Sequence, residues 1–317
     1  MPLFKKSSDK KLVLLDEKSA PLEEVIQTMT EKNLEAIFGL KFVQTEFPVE
    51  NLYIDTLAFD AESKSFVIIE YKKDRSFSVI DQGFAYLSLM LRNKAEFILE
   101  LQKADGKTYD KKDIDWTQSR VIFVSPQFTQ HQQLAIGFKD LPIELWKVEF
   151  YQGDLVLYSQ IEAPGASGSI KAISKKNVTV QQVSQEVKKY TLEDHMRSAT
   201  SEIRQLFEEL RQNILSWDST IRERIGKWGV SYHIGKGWIA FVYFSKFTNH
   251  IDGIVRLDKA PQEITGVVEN REIVKYNPLR VRIKIKNPNN LQPALYVLKK
   301  AYHQVKTGKA KVFKARR

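Results

Sequence analysis

Hydrophobic and polar positions recur with two different periods along the first half of the chain, and each period predicts its own kind of element. Apolar residues recur at helical spacing from Leu22 to Phe38, and Gly39 ends that segment. Helical spacing also predicts helices over 79–101 and 128–137. Short strand-like runs, separated by turn-forming residues, lie at 42–47, 52–59, 66–71, 120–125, 143–151 and 155–161. The order helix, three strands, helix, strand predicts an α/β domain with a mixed sheet flanked by helices.

A second set of elements follows a polar segment that begins with Pro164-Gly-Ala-Ser-Gly-Ser169. An amphipathic helix is predicted over 200–214 and a closing helix over 291–305. Strands are predicted at 230–234, 238–244, 251–257 and 279–285. We therefore predict a smaller α+β domain in the second half. The predicted divisions are an N-terminal arm (1–20), a first domain (21–163), a linker (164–195), a basic second domain (196–306) and a basic tail (307–317).

The charge is unevenly distributed between the two halves. The whole chain of 317 residues has a formal net charge of +10. Residues 1–160 hold 20 basic against 25 acidic residues, whereas residues 161–317 hold 29 against 14. A basic half can hold a polyanion through phosphate contacts, although the same excess also serves solubility alone. No apolar run is long enough for a membrane helix or a signal peptide, and there is no cysteine. These features predict a cytoplasmic protein without thiolate metal sites.

Two carboxylates and a lysine stand out on the predicted strands of the first domain. Asp55 lies in an otherwise apolar strand, and Glu70 ends the apolar strand that follows it. Lys72 comes two residues after Glu70, so the two side chains project from the same face if the strand continues. Oxygen ligands of this kind suit Mg²⁺ or Mn²⁺, which can activate water for phosphodiester hydrolysis. The alternative is a structural salt bridge between Lys72 and one of the carboxylates.

The surrounding motifs resemble those of the PD-(D/E)XK, or restriction-endonuclease-like, nuclease superfamily. Ile54-Asp-Thr-Leu-Ala-Phe-Asp60 matches the aspartate motif, and Val67-Ile-Ile-Glu-Tyr-Lys-Lys73 matches the E-x-K motif. Val79-Ile-Asp-Gln-Gly-Phe-Ala-Tyr86 matches the Q-x-x-x-Y motif of RecB-like members. Within the superfamily the chain is similar to a group that carries a C-terminal domain of the DUF5655 type. The resemblance implies a restriction-endonuclease-like fold with an αβββαβ core.

The resemblance also implies roles for individual residues. Asp55, Glu70 and the backbone carbonyl of Tyr71 would bind Mg²⁺ or Mn²⁺, and Lys72 would serve the attacking water. Glu35, on the first helix, is the candidate for an accessory carboxylate. Gln82 and Tyr86 would face the site or the DNA backbone, because residues four apart share a helix face. Their alternative roles are a capping amide and a core tyrosine.

Two patterns in the second half bear on nucleic-acid binding. Aromatic residues between Trp228 and Phe247 are interleaved with a few lysines, which is typical either of a base-stacking surface or of a core strand. Four basic residues alternate with apolar ones and would share one strand face: Arg280, Arg282, Lys284 and Lys286. Together with Lys73 they are the candidate phosphate contacts, and the alternative is an edge strand protected by its charges.

These observations support three hypotheses. The first is a metal-dependent nuclease whose basic second domain holds the nucleic acid, with DNA favoured over RNA. The second is a nucleic-acid-binding module that keeps a nuclease scaffold without cutting. The third is an adaptor whose basic face meets an acidic protein. No membrane partner is expected, and the sequence identifies no interface for a homo-oligomer.

Overall fold

The computed structural model divides the chain into two compact units, 1–189 and 190–317. The structure describes residues 2–73, 78–138, 140–162, 168–170, 177–235, 237–245, 249–257, 259–261, 264–270 and 281–308. Among these residues, no helix is long and apolar enough to cross a membrane.

The first unit is built on a mixed sheet of seven strands. Its strands are β3 (Glu17–Lys18), β4 (Lys41–Val49), β5 (Leu52–Asp60), β6 (Ser65–Tyr71), β7 (Arg120–Ser125), β8 (Ile143–Tyr151) and β9 (Leu155–Ile161). The spatial order is β3-β8-β7-β6-β5-β4, and β9 pairs with β8. The pairs β4/β5, β5/β6, β3/β8 and β8/β9 are antiparallel, whereas β6/β7 and β7/β8 are parallel.

Helices pack on both faces of this sheet. They are α1 (Glu23–Lys32), α2 (Leu34–Ile37), α3 (Val79–Arg92), α4 (Lys94–Asp105), α5 (Gln130–Ala135) and α6 (Val178–Glu186). On one face, Ile26 and Leu34 pack against Ile69 and its neighbours. On the other face, Phe84 and Phe97 belong to a larger apolar cluster. The predicted mixed sheet flanked by helices is confirmed, as is the αβββαβ order from α1 to β7.

The single helix predicted over 79–101 is two helices that meet at Asn93. Both the backbone N–H and the side-chain amide of Asn93 donate to the carbonyl of Leu89, each at 3.0 Å, so Asn93 closes the last turn of α3. The apolar pattern continues across the break, because α3 and α4 bury residues in the same cluster. Hydrophobic periodicity therefore did not reveal the break.

Residues 1–20 form more structure than the predicted arm. β1 (Leu3–Lys6) and β2 (Leu12–Leu15) make an antiparallel hairpin, and β3 extends the main sheet beside β8. Leu12, Val13 and Leu14 are all exposed, so their order comes from backbone pairing rather than from burial. A burial pattern was the signal that sequence analysis used, and these residues have none.

The segment predicted as a linker also contains structure. α6 occupies 178–186 of the range 164–195, and Val180, Val183 and Val187 are buried in the core of the first unit. The backbone N–H of Lys188 donates to the carbonyl of Thr117 at 2.7 Å. Three valines at helical spacing supply the driving force, although polar residues surround them in the sequence.

The second unit is an antiparallel sheet of six strands with helices, as predicted for an α+β domain. The strands are β10 (Ile221–Gly226), β11 (Gly229–Ile234), β12 (Gly237–Ser245), β13 (His250–Val255), β14 (Val268–Asn270) and β15 (Val281–Ile285). Their order is β10-β11-β12-β13-β15-β14. The helices are α7 (Leu192–Met196), α8 (Ser201–Ser216) and α9 (Leu291–Lys306). Phe207 and Leu298, from α8 and α9, share an apolar core with Val242 and Ile283 of the sheet.

Sequence analysis missed β10. Ile221 and Ile225 face the helices, but the position between them is Glu223. Arg211 of α8 donates to the Glu223 carboxylate from Nε at 2.8 Å, which compensates the charge. A carboxylate on the core side of a short strand hides the period-two pattern.

Candidate active site

The central feature of the first unit is a pair of carboxylates on neighbouring strands. β5 and β6 are antiparallel, and Thr56 pairs with Ile69. The next position of this register sets Asp55 opposite Glu70. Side chains opposite each other on paired strands share one face of a sheet. The order of the strands therefore brings together two groups that repel each other when ionised.

Two hydrogen bonds hold Asp55 in place, but burial and the nearby Glu70 make its ionised form unfavourable. Its Oδ2 accepts a hydrogen bond from the backbone N–H of Tyr71 at 2.9 Å. Gln27 of α1 donates from Nε2 to the backbone carbonyl of Asp55, also at 2.9 Å. Burial, and then the charge of Glu70, raise the pKa of Asp55 from 3.8 to about 7. The carboxyl is therefore partly protonated near neutral pH in the absence of a cation.

Glu70 is almost fully buried, with 2% of its surface exposed. Its Oε1 accepts from Lys72 Nζ at 2.6 Å and from Gln82 Nε2 at 3.1 Å. Its Oε2 is buried and accepts no hydrogen bond from the described residues. Burial raises the pKa of Glu70 although the bond to Lys72 opposes that shift. Within the described part of the chain this oxygen thus lacks a close donor, while the Tyr86 hydroxyl nearby lowers the pKa of Glu70 and offsets part of the burial.

Lys72 follows the last residue of β6 and is partly exposed. Its backbone N–H donates to the carbonyl of Val124 on β7 at 3.0 Å, which continues the strand geometry beyond Tyr71. Burial lowers the pKa of Lys72, but the hydrogen bond to Glu70 and the charges of Glu70 and Asp55 raise it above its ordinary value. The side chain therefore stays cationic beside the carboxylates.

The first turns of α3 add an amide and a phenol to the same site. Gln82 Nε2 lies 3.1 Å from Glu70 Oε1 and 3.3 Å from the Tyr86 hydroxyl. Tyr86 is buried among apolar residues, and burial raises its pKa further above the ordinary value. Ser78 caps the helix by accepting from the backbone N–H of Asp81. The structure thus brings Gln82 and Tyr86 to Glu70, and Gln82 does not cap its helix.

Sequence analysis overlooked a polar stripe on α1. Glu23, Gln27 and Glu31 are spaced by four residues and lie on one helical face. Glu31 Oε1 accepts from Thr56 Oγ1 at 2.6 Å and from Gln27 at 3.2 Å. The charge of Glu23 acts on the pKa values of both Glu70 and Lys72. The spacing of four was the signal that could have identified them.

Two predicted residues lie away from this group. Glu35 is exposed on α2, and the carboxylate whose charge acts on Glu70 is Glu23 instead. Lys73 is exposed, and its backbone N–H donates to Glu23 Oε1 at 2.8 Å. The helix predicted over 22–38 is divided into α1 and α2, and the acidic group near the site comes from α1 rather than from α2, which carries Glu35.

The described residues contain no group of three or more acidic, histidine or cysteine ligands that could hold a metal. Two carboxylates are nevertheless enough for Mg²⁺, which commonly uses one or two and keeps several waters. Glu70 Oε2 has no hydrogen-bond partner in the described ranges, and the charge of Glu70 raises the pKa of Asp55. A cation would relieve both conditions, so the donor set fits a hard divalent ion.

The basic strand of the second unit, β15, lies inside the sheet and not at its edge. Val281, Ile283 and Ile285 are buried while Arg282 and Lys284 alternate with them. β15 pairs with β13 on one side and β14 on the other, so the edge-strand alternative is wrong. Arg282 donates from Nε to Asp252 Oδ1 at 2.9 Å, and its Nη2 lies 2.7 Å from the same oxygen. Lys286 is exposed, and Arg280 lies outside the described residues.

The fold and the site together define a mixed α/β protein with a paired-carboxylate centre beside a lysine. No family model matches the chain. A protein of Haemophilus influenzae described as uncharacterised is 42% identical over 207 residues. The matched region covers 65% of this chain and 68% of that protein. The chain belongs to the same family as this Haemophilus influenzae protein.

Three solved structures show weak likeness to the chain. A repair endonuclease from Pyrococcus abyssi is 19% identical with a TM-score of 0.21, and the match covers 37% of this chain and 43% of that chain. A complex of EndoMS with double-stranded DNA is 20% identical with a TM-score of 0.20, covering 36% and 41%. Pyrococcus furiosus SfsA with Ca²⁺ is 13% identical with a TM-score of 0.24, covering 48% and 76%. The chain thus spans less than half the length of the first of these structures.

Proposed function

We propose that the first unit is a metal-dependent nuclease that hydrolyses phosphodiester bonds of nucleic acid. The observation that carries this proposal is the meeting of Asp55, Glu70 and Lys72 on adjacent strands. Asp55 is opposite Glu70, and Lys72 Nζ lies 2.6 Å from Glu70. A structural ion pair alone does not require a second carboxylate that raises the cost of burial.

Asp55, Glu70 and the backbone carbonyl of Tyr71 are the proposed ligands of Mg²⁺ or Mn²⁺. When bound, the ion would supply charge neutralisation at a phosphoryl oxygen and a water of lowered pKa. Asp55 is oriented for this role by the backbone N–H of Tyr71. Glu70 contributes the oxygen that has no hydrogen-bond partner among the described residues.

Lys72 is the proposed catalytic lysine. Its ammonium group stays protonated beside the carboxylates, so it can orient a nucleophilic water or stabilise the negative charge that develops on phosphate. Gln82 is a positioning residue, because its amide holds Oε1 of Glu70 from the side of α3. Gln82 and Tyr86 lie one helical turn apart at this site, which supports the Q-x-x-x-Y type.

The basic second unit is proposed to hold the substrate, with Lys284 and Lys286 as its phosphate contacts. Both are basic and at least partly exposed. DNA as the substrate, the DUF5655 type of the second unit and a cytoplasmic location stay predictions.

A cleavage assay tests the nuclease. Labelled single- and double-stranded DNA and RNA are incubated with Mg²⁺, with Mn²⁺ and with EDTA, using wild type, Asp55→Asn, Glu70→Gln and Lys72→Ala. The matched control is Lys103→Ala, since Lys103 is an exposed lysine on α4. We expect metal-dependent product from wild type and the control, and a loss of about 100-fold or more in Lys72→Ala.

Unchanged cleavage in Lys72→Ala would exclude the assigned role of this lysine.

A second candidate function is a binding module without catalysis. The observation that favours it is the short bond between Lys72 and Glu70, which occupies the ammonium group and one carboxylate oxygen. A binding module of this kind would retain nucleic acid in a salt-sensitive way and would give no cleavage product with Mg²⁺ or with Mn²⁺.

A further inference from the structure

The sheet of the second unit has two chemically different faces. Helices α8 and α9 pack on one face, where the apolar core lies. Successive side chains of a strand point to opposite faces, so the intervening positions project from the other face. We call this second face the aromatic face, and its defining residues are Arg222, Arg224, Phe241, Tyr243, Ile254, Arg282 and Lys284.

The strand register aligns these residues into a row across the sheet. Arg224 pairs with Ser231, and Ser231 pairs with Phe241. Phe241 pairs with Ile254, and Ile254 pairs with Arg282. Because neighbouring strands lie about 4.8 Å apart, the backbone of each arginine is about 10 Å from that of the central phenylalanine. The row continues to Glu269 of β14, which pairs with Arg282. It therefore has an aromatic ring in the middle, Arg224 at one end and the Arg282–Glu269 pair at the other.

The aromatic centre of this face is a contacting pair of rings. The centroids of Phe241 and Tyr243 are 5.9 Å apart and the rings are tilted by 31°. Both residues are partly exposed. Gly229 on β11 lies beneath them, since a Cβ at this position would be 2.9 Å from Cζ of Phe241 and 3.0 Å from Cβ of Tyr243. The missing side chain lets the Phe241 ring lean over β11 rather than stand away from it.

The charges of the face complement a polyanion. Arg222 and Arg224 are two residues apart on β10, and burial and the charge of Arg224 lower the pKa of Arg222. On the far side of the rings the strand register places Asp252 between Tyr243 and Lys284, and Arg282 is bound to Asp252 and pairs with Glu269. Lys284 is partly exposed and is the cation of this side that the proposal uses. Cations therefore flank the rings on both sides, which is the pattern of a stacking platform with phosphate contacts.

We propose that the aromatic face binds a single-stranded nucleic acid, with bases stacked on Phe241 and Tyr243 and phosphates beside Arg224 and Lys284. The proposal rests on the proposed function and deepens it by naming the strandedness of the substrate. Only unpaired bases can offer a face to a protein ring, because bases within a duplex are stacked on each other. A duplex would meet the cations of this face but not its rings.

The test measures binding of the full chain in EDTA, so that no cleavage occurs. Fluorescein-labelled oligothymidine and oligouridine of about 20 nucleotides, and a duplex of equal length, are titrated at low salt and followed by fluorescence anisotropy. The variants are Phe241→Leu and Tyr243→Leu, which keep an apolar side chain and remove the ring. The matched control is Tyr296→Leu, an exposed tyrosine on α9.

We expect the single strands to bind more tightly than the duplex. Each ring variant should weaken single-strand binding by about fivefold or more, while the control variant binds as wild type does. Ring-dependent binding of either oligothymidine or oligouridine supports the proposal and identifies the preferred sugar. Unchanged affinity in both folded ring variants, an equal or stronger preference for the duplex, or no binding at low salt would overturn it.

Circular dichroism and thermal melting establish whether the ring variants fold. Should they not fold, Arg224→Gln replaces them. In Arg224→Gln, single-strand binding should weaken, and the slope of log K against log salt concentration should become smaller in magnitude by about 0.7. This result supports the proposed binding face, and an unchanged slope overturns it. The two proposals fail separately. Ring-dependent binding without metal-dependent cleavage would exclude the nuclease, whereas Lys72-dependent cleavage with ring variants that bind normally would exclude only the aromatic face.

Discussion

Two buried carboxylates, one in each unit, have opposite electrostatic environments. Glu70 in the first unit is 2% exposed and Asp252 in the second is 3% exposed. Asp252 accepts from His250 on one oxygen and from Arg282 on the other. Among the residues that the structure describes, Glu70 has hydrogen-bond partners on one oxygen only, and the strand register sets Asp55 opposite it. The comparison teaches that burial does not identify a site by itself, whereas burial without complete compensation does.

The largest change in the free energy of unfolding should come from removing the arginine that compensates the charge of Asp252. Arg282→Met leaves this carboxylate with His250 alone, so the free energy of unfolding should fall by about 3 kcal/mol. Urea unfolding followed by fluorescence measures this change. Arg197→Met is the matched control, because Arg197 is exposed and pairs with Asp194 at 3.6 Å. We expect the control to change stability by less than about 0.5 kcal/mol. Equal effects in the two variants would contradict the comparison.

A divalent cation should compensate the charges of Asp55 and Glu70, as Arg282 compensates the charge of Asp252. Mg²⁺ or Mn²⁺ at about 100 times its dissociation constant should stabilise the wild type by about 2.7 kcal/mol. Thermal melting with and without the metal at pH 8 measures the effect. Asp55→Asn should lose most of this stabilisation, because one anionic ligand is gone. An identical shift in wild type and variant would place the metal elsewhere.

The pH dependence of stability should reveal the repulsion at Asp55. Burial and the charge of Glu70 raise its pKa to about 7 in the folded protein, against 3.8 ordinarily. The folded state therefore binds more protons than the unfolded state between about pH 4 and 7, so stability falls as the pH rises through this window. Partial exposure reduces the expected loss to about 1–2 kcal/mol.

Asp55→Asn isolates this contribution in metal-free protein. The variant should be more stable than wild type at pH 8 by about the same 1–2 kcal/mol, and the difference should vanish near pH 4. Urea unfolding at several pH values in EDTA measures both. A variant less stable than wild type at pH 8 would show that the bond from Tyr71 outweighs the repulsion.

The smallest effect should come from the amide that holds Glu70. Gln82→Leu removes one hydrogen bond to Oε1 and keeps the bond from Lys72. We expect a loss of about 0.5–1.5 kcal/mol in the free energy of unfolding. Cleavage should fall while the metal affinity, measured by thermal shift, changes little. Unaltered cleavage would remove the positioning role of Gln82.

Local sequence was sufficient for three consecutive strands of the first unit, of which β7 is buried, β8 is partly buried and β9 is largely exposed. The strand over 120–125 and the hairpin strands at 143–151 and 155–161 have the predicted bounds. The sequence was less informative where backbone pairing or one charge pair replaces burial. Residues 3–15 form an exposed hairpin, and β10 carries Glu223 on its core side because Arg211 compensates it.

Only part of the candidate site could be predicted from the sequence. Asp55, Glu70 and Lys72 could be paired from the period of two adjacent strands, and Gln82 and Tyr86 from the resemblance of their motif. The spacing of Glu23, Gln27 and Glu31 marks a polar stripe on α1, but their contacts could not be predicted, because these depend on which face of α1 packs against β5 and β6.

The sequence by itself determined the residue types and the local periods: a charged pair in apolar strands, a lysine two residues on, and alternating cations in the second unit. Only the tertiary structure decided which charges are compensated. It joined Arg282 to Asp252 on the neighbouring strand, and it left one oxygen of Glu70 without a hydrogen bond from any described residue. The physical reason is that compensation depends on distances of about 3 Å between residues far apart in the chain, and strand order and register set those distances.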